Sequence, residues 1–141
     1  MKRRISILAL LLLLTPFLGA SDKKAADEKK AKKKEQAKAT YMQKTEHELD
    51  SWAAKIDALQ VRISTAGAQV RAKLDEEIQD VRAKLQNARQ KLGDLKTSTE
   101  RDWEHFRHQT NQAVKDVNKA YTTTDNHVKK TEENKSKEKK Q

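Results

Sequence analysis

The sequence predicts an all-α protein, a long antiparallel helical hairpin or coiled coil. One apolar ridge carries this expectation. Leu49, Trp52, Ile56, Leu59, Ile63, Ala66, Val70, Leu74, Ile78, Val81, Leu85, Ala88, Leu92 and Leu95 recur at steps of three and four. A period near 3.5 places them on one stripe of a helix. Composition agrees. Apolar residues are 35% and charged residues 37% of the chain, too little apolar material for a thick core but enough for a helix seam. Such a composition also fits disorder; the sustained ridge argues against that for the middle of the chain, but not for its ends.

Residues 1–20 read as a leader. Lys2, Arg3 and Arg4 precede an apolar run over 5–14, then Thr15 and Pro16, and Leu18-Gly19-Ala20 offers a cleavage site before Ser21. This is the plan of a secretory signal peptide. It predicts a periplasmic or secreted protein cleaved near Ala20. The alternative is an inner-membrane anchor left uncleaved, for which the apolar run is short. The chain has no cysteine, so neither a lipid-modified cysteine nor a disulfide is available.

Residues 21–39 form a Lys/Ala-rich tail, disordered or a frayed helix, with eight lysines against four acids. These are mostly good helix formers with no apolar ridge to bury. Residues 40–96 form the long helix. Gly93 lies inside it at a local cost. Thr97 followed by Glu100 fits a capping box, which predicts a turn and a returning helix over 97–130. Its stripe is Trp103, Phe106, Thr110, Ala113 or Val114, Val117, Ala120 or Tyr121, Thr124 and Val128. Residues 131–141 are expected to be a disordered basic tail. The formal net charge is +10, and +7 once Lys2, Arg3 and Arg4 are removed with the leader. Residues 40–128 carry 14 basic and 14 acidic groups, so the excess sits in the tails.

Steps of four through Ala66, Val70, Leu74 and Ile78 form a stutter beside Gly67. Two readings follow: a helix that passes through Gly67, or a second turn at Ser64-Thr65-Ala66-Gly67 and a three-helix bundle. The first is preferred, because the stripe stays in phase and no cap follows Gly67. Folding the hairpin about Thr97 makes a seam of Val70, Leu74, Ile78, Val81, Leu85, Leu92, Trp103, Phe106, Val117 and Tyr121. Leu49, Trp52, Ile56, Leu59 and Ile63 are then left without an intrachain partner. Leaving such groups wet forgoes about 1.5–3 kcal/mol each, so a homo-oligomer joined through these five residues is expected.

Candidate chemistry is sparse. His105 and His108 stand three apart beside Glu104, a spacing that can place two metal ligands on one face, but no third ligand is evident, and no metal or cofactor is assigned. His47 and His127 are isolated. Asp75, Glu76, Glu77 and Asp80 read as an exposed face, with Lys84 paired to Asp80 in the favourable order. No nucleophile elbow, phosphate loop or zinc-protease motif is present, so no catalytic residue is assigned and an enzyme is not expected. The lysine tails suit an envelope polyanion or anionic lipid. Nucleic acid is disfavoured by the leader and by tails without aromatics or arginines.

Tyr41-Met42-x-Lys44, then Leu49, Trp52 and Ala54-Lys55-Ile56-Asp57, resemble the opening of a family of small bacterial coiled-coil proteins linked to stress response. Ala83-Lys84-Leu85, Lys91-Leu92, Leu95-Lys96 and Trp103 continue the resemblance, which covers residues 40–128. It implies an all-helical protein with a stress-linked role and no active site to carry over. The leader and the basic tails depart from that pattern. In size, charge and leader the chain is also similar to basic periplasmic chaperones, without their strands. The functional expectation is an exported, non-enzymatic coiled-coil protein, stress-associated or scaffolding. The alternative is a chaperone-like protein, or one that binds polyanions or anionic lipid through its lysines.

Overall fold

A computed structural model describes residues 21–140; the leader expected over 1–20 lies outside them. The described chain is three helices: α1 (Ser21–Ser64), α2 (Ala68–Lys96) and α3 (Trp103–Glu138). Two compact units divide it, Met1–Ala37 and Lys38–Gln141. In the first, the described residues are the opening turns of α1, and residues 23–37 are exposed throughout. Helix α3 continues through residues 131–138, where a disordered tail was expected. Their side chains are mostly exposed, so this end of the helix follows from local propensity rather than from an apolar stripe.

The second unit is built on the ridge. Its long-range pairs give the direction of each helix. Asp57 meets Arg82 and Asp50 meets Arg89, so α2 runs antiparallel to α1. Glu77 meets His127, and the Thr110 hydroxyl reaches the Lys91 carbonyl, so α3 runs antiparallel to α2. Tyr41 packs on Trp103 and Trp52 on Tyr121, so α1 and α3 run the same way. The three helices share one core. Ridge residues of α1 and α2 meet Trp103, Ala113, Val117 and Val128 of α3 there.

The single helix expected over 40–96 is therefore interrupted, and a turn lies beside Gly67. Ser64 and Thr65 explain it: their hydroxyls donate to the Val61 and Arg62 carbonyls at 2.6 and 2.7 Å. Such short-range bonds compete with the helix ladder. The Thr65 and Ala66 amides then reach back only three residues, to Arg62 and Ile63. Gly67 adopts φ −63° and ψ 152°, extended backbone, and α2 begins at Ala68. Glycine has no side chain with which to cap, so this turn leaves no capping signature in the sequence.

The second turn also differs in detail. Thr97 closes α2 instead of opening α3: its amide bonds to the Gly93 carbonyl and its hydroxyl to that of Asp94. The Thr97–Glu100 capping box is not formed. Thr99 donates to the Asp102 carboxylate at 2.7 Å, and α3 starts after Asp102. The longer turn moves the register. Thr110 meets Lys91 and His127 meets Glu77, where a fold about Thr97 would set them near Lys84 and Gly67.

This arrangement removes the reason for an unmatched segment. Leu49, Ile56, Leu59 and Ile63 are at most 1% exposed and Trp52 is 8% exposed, all within the chain's own core. The preferred sequence reading lacked the second turn, which folds α1 back along α2 and α3; the alternative with a turn at Ser64–Gly67 contained it. In the seam, Leu74, Ile78, Val81, Leu85, Leu92, Trp103 and Val117 are buried, and Phe106 and Tyr121 partly so. Val70 is the exception, 41% exposed at the start of α2.

Two substitutions test this packing. Ile56→Ala is expected to cost about 2–5 kcal/mol in chemical denaturation of dilute protein, as for a residue inside a filled core. Gly93→Ala is expected to stabilise by about 0.5–1 kcal/mol, because a Cβ there meets nothing within 4 Å. Thermal and denaturant unfolding read both.

Candidate interaction surfaces

The packing of the three helices fixes three surface features of the second unit. The first is a charged rim between α1 and α2. Glu46, Asp50 and Asp57 on α1 face Lys96, Arg89 and Arg82 on α2, with contacts of 3.1, 3.0 and 2.9 Å. The basic members stand seven residues apart, so they share one edge of the helix beside the core. All six side chains are well exposed. Each pair is therefore worth little in stability, but together they assign acid to α1 and base to α2.

The second is a cluster around Arg62 at the end of α1. Its guanidinium donates to Asp125 at 2.7 Å and to both oxygens of Glu132 at 3.0 and 2.7 Å. Lys129 also reaches Asp125, at 2.7 Å. Lys135 donates to the Thr65 carbonyl at 2.6 Å, tying α3 to the turn. Hydrogen bonds to Glu132 and then Asp125 raise the Arg62 pKa further. Partial burial works against the Asp125 carboxylate, but Lys129 and Arg62 outweigh it and its pKa is lowered. Arg62 lowers that of Glu132.

The third is a groove of about 630 Å³ between α2 and α3, lined by Glu77, Asp80, Lys84, Asp116, Lys119 and His127 among others. His127 Nδ1 lies 2.8 Å from Glu77, and Lys84 pairs with Asp80 as the sequence predicts. The groove mixes both signs of charge and lies open along the helix pair. In the sequence, Glu77 and Asp80 read only as an exposed helix face and His127 as an isolated residue.

The candidate metal pair His105 and His108 gains no third ligand among the described residues. His105 contacts Gln109 on its own helix, and among the described residues no three His, Asp or Glu side chains gather in a way that could hold a metal ion. Among the described residues the buried polar residues are threonines. Thr45, Thr110 and Thr124 are at most 6% exposed, and each donates to the carbonyl four residues earlier. Thr110 also lies 3.1 Å from the Lys91 carbonyl of α2. Tyr41 donates to Asn111 at 2.6 Å, and burial pushes its phenol pKa up. Of these groups, Thr110 and Tyr41 join the helices to one another. Among the described residues no helix is long and apolar enough to cross a membrane.

No family model, curated protein or solved structure matches the chain.

The Arg62 cluster predicts a pH dependence. Carboxylates with lowered folded-state pKa values contribute stability above their unfolded values, about 4, and lose it as pH falls through the folded ones. Arg62→Met is expected to cost about 1–2 kcal/mol at neutral pH. The gap to the parent protein should close on acidification, as read by urea unfolding at a series of pH values. A gap that stays constant into acid would show that Arg62 acts by packing rather than by charge.

Proposed function

We propose that this chain is an exported, non-enzymatic helical protein with a stress-associated or scaffolding role in the cell envelope. One observation carries the reading: the apolar ridge is taken up in the chain's own core, so what it offers to others is charged helix surface. Extended charged faces suit contact with macromolecular partners along a length, rather than enclosure of a small molecule. The leader-like residues 1–20 support export. The resemblance over residues 40–128 supports the link to stress.

A second reading has its own observation. Residues 23–34 carry seven lysines against two acids on exposed helix. This favours an anionic envelope surface, because polybasic segments near acidic lipid gain about 1 kcal/mol per lysine. The segment has no apolar stripe, so its attachment would be electrostatic and lost in salt.

Crosslinking in intact cells followed by mass spectrometry separates the readings. An N-terminus at Ser21 and envelope protein partners are expected for the scaffold. Crosslinks mainly to cytosolic proteins would defeat export. For the second reading, vesicles containing acidic lipid should bind the chain at low salt. Replacing the lysines of residues 23–34 by glutamine should abolish that binding. Binding that survives the replacement would place the contact elsewhere.

A further inference from the structure

The ridge is written straight through a turn. On a continuous helix, Leu49 to Leu95 would form one unbroken stripe in phase across residues 64–67. Two helices joined by a turn need no such continuity, since each can face the core from its own azimuth. Within that stripe every member is buried except two. Ala66, in the turn, is half-buried against the edge of the core, and Val70, just after it, is 41% exposed. The folded monomer thus covers only partly the two ridge residues that only an unbroken helix would place in line with the rest.

The α1–α2 pairs add a position. Glu46–Lys96, Asp50–Arg89, Asp57–Arg82 and Gln60–Asp75 are arranged about a midpoint close to Gln69 and Val70. If the helix were continuous, two copies could lie antiparallel with that midpoint on a two-fold axis. Each α1 would then meet the other chain's α2 through the same pairs, and the two Val70 side chains would face one another at the axis.

We infer that the chain exchanges α1 with a second copy. Residues 65–67 straighten into helix, α1 and α2 become one helix over residues 21–96, and the ridge Leu49, Trp52, Ile56, Leu59 and Ile63 of each chain packs on α2 and α3 of the other. The contacts of the core and of both rims are retained, now between chains. What changes is the turn and the covering of Val70. The backbone presents no obstacle, since there is no positive φ among the described residues and three residues must change. Exchange of an identical element through a short hinge is a low-cost route to a dimer. This inference does not depend on the envelope role.

The chain has no cysteine, which permits a direct test. The full-length Asp57→Cys/Arg82→Cys variant is refolded at low and at high protein concentration. It is then treated with a short thiol–thiol crosslinker and run on a denaturing gel. Exchange predicts crosslinked monomer at low concentration and crosslinked dimer at high concentration. Association by any other surface would leave the 57–82 link within one chain.

The hinge supplies the controls. Ala68→Pro fits the monomer, because it is the first residue of α2 and Gly67 before it is already extended. In a continuous helix each such proline should disfavour the dimer by about a hundredfold. Thr65→Ala/Gly67→Ala should raise the dimer fraction. Val70→Lys leaves the monomer intact and brings two charges together at the axis, so it should lower it. Circular dichroism confirms that each variant folds. Intrachain links alone at every concentration, in the parent pair and in the Thr65→Ala/Gly67→Ala background, would overturn the inference.

Discussion

Everything in the second unit depends on covering one narrow apolar stripe with very little apolar material. The ridge residues of α1 and α2 lie on a single helix face, and α3 adds Trp103, Ala113, Val117 and Val128. Two facing helices would cover α2 and leave α1 wet. Folding α1 into the groove of the α2–α3 pair covers both with the same side chains. The turn at residues 65–67 is what makes this possible. It requires only that Ser64 and Thr65 divert the final carbonyls of α1, a small cost against burial of five large side chains.

The helical class, the ridge and the turn after Lys96 were legible because each rests on periodicity or on local hydrogen-bonding residues. The pair Asp80–Lys84 was legible for the same reason. The turn beside Gly67 was written more faintly. In-phase apolar residues run across it, and Gly67 is extended rather than left-handed, so neither pattern nor capping marks it. The hairpin register was misplaced because Thr97 has two possible roles. A threonine before a helix caps its start, and one after a helix bonds to its final carbonyls. The order Gly93-Asp94-Leu95-Lys96-Thr97 suits the second role, and the structure takes it. With the register moved and α1 folded back, the segment that looked unmatched became part of the buried core.

Surface features were less legible than the core, since they depend on which helix edges meet. Arg62 looks like any exposed arginine in sequence. It becomes the centre of a charge cluster only because α1 and α3 run the same way and bring Asp125 and Glu132 alongside. The groove at His127 and Glu77 likewise needs the register of α2 against α3. In contrast, the lysine density of residues 23–34 is visible without any tertiary information, because no other element is needed to assemble it.

The charges on the two sides of α1 differ in sign, and this limits how the helix can sit. Toward α2 it presents Glu46, Asp50 and Asp57; toward α3 and the turn before it, it presents Lys38 to Glu100 and Arg62 to Asp125 with Glu132. Reversing α1, or turning it about its axis, would set like charges together along one rim or the other. Exposed pairs contribute little to stability, but like-charge contacts reject wrong arrangements. That selection acts on direction and register alone. It is blind to whether the α2 and α3 that receive the helix belong to the same chain, so the choice between them falls to the three residues of the turn and to protein concentration.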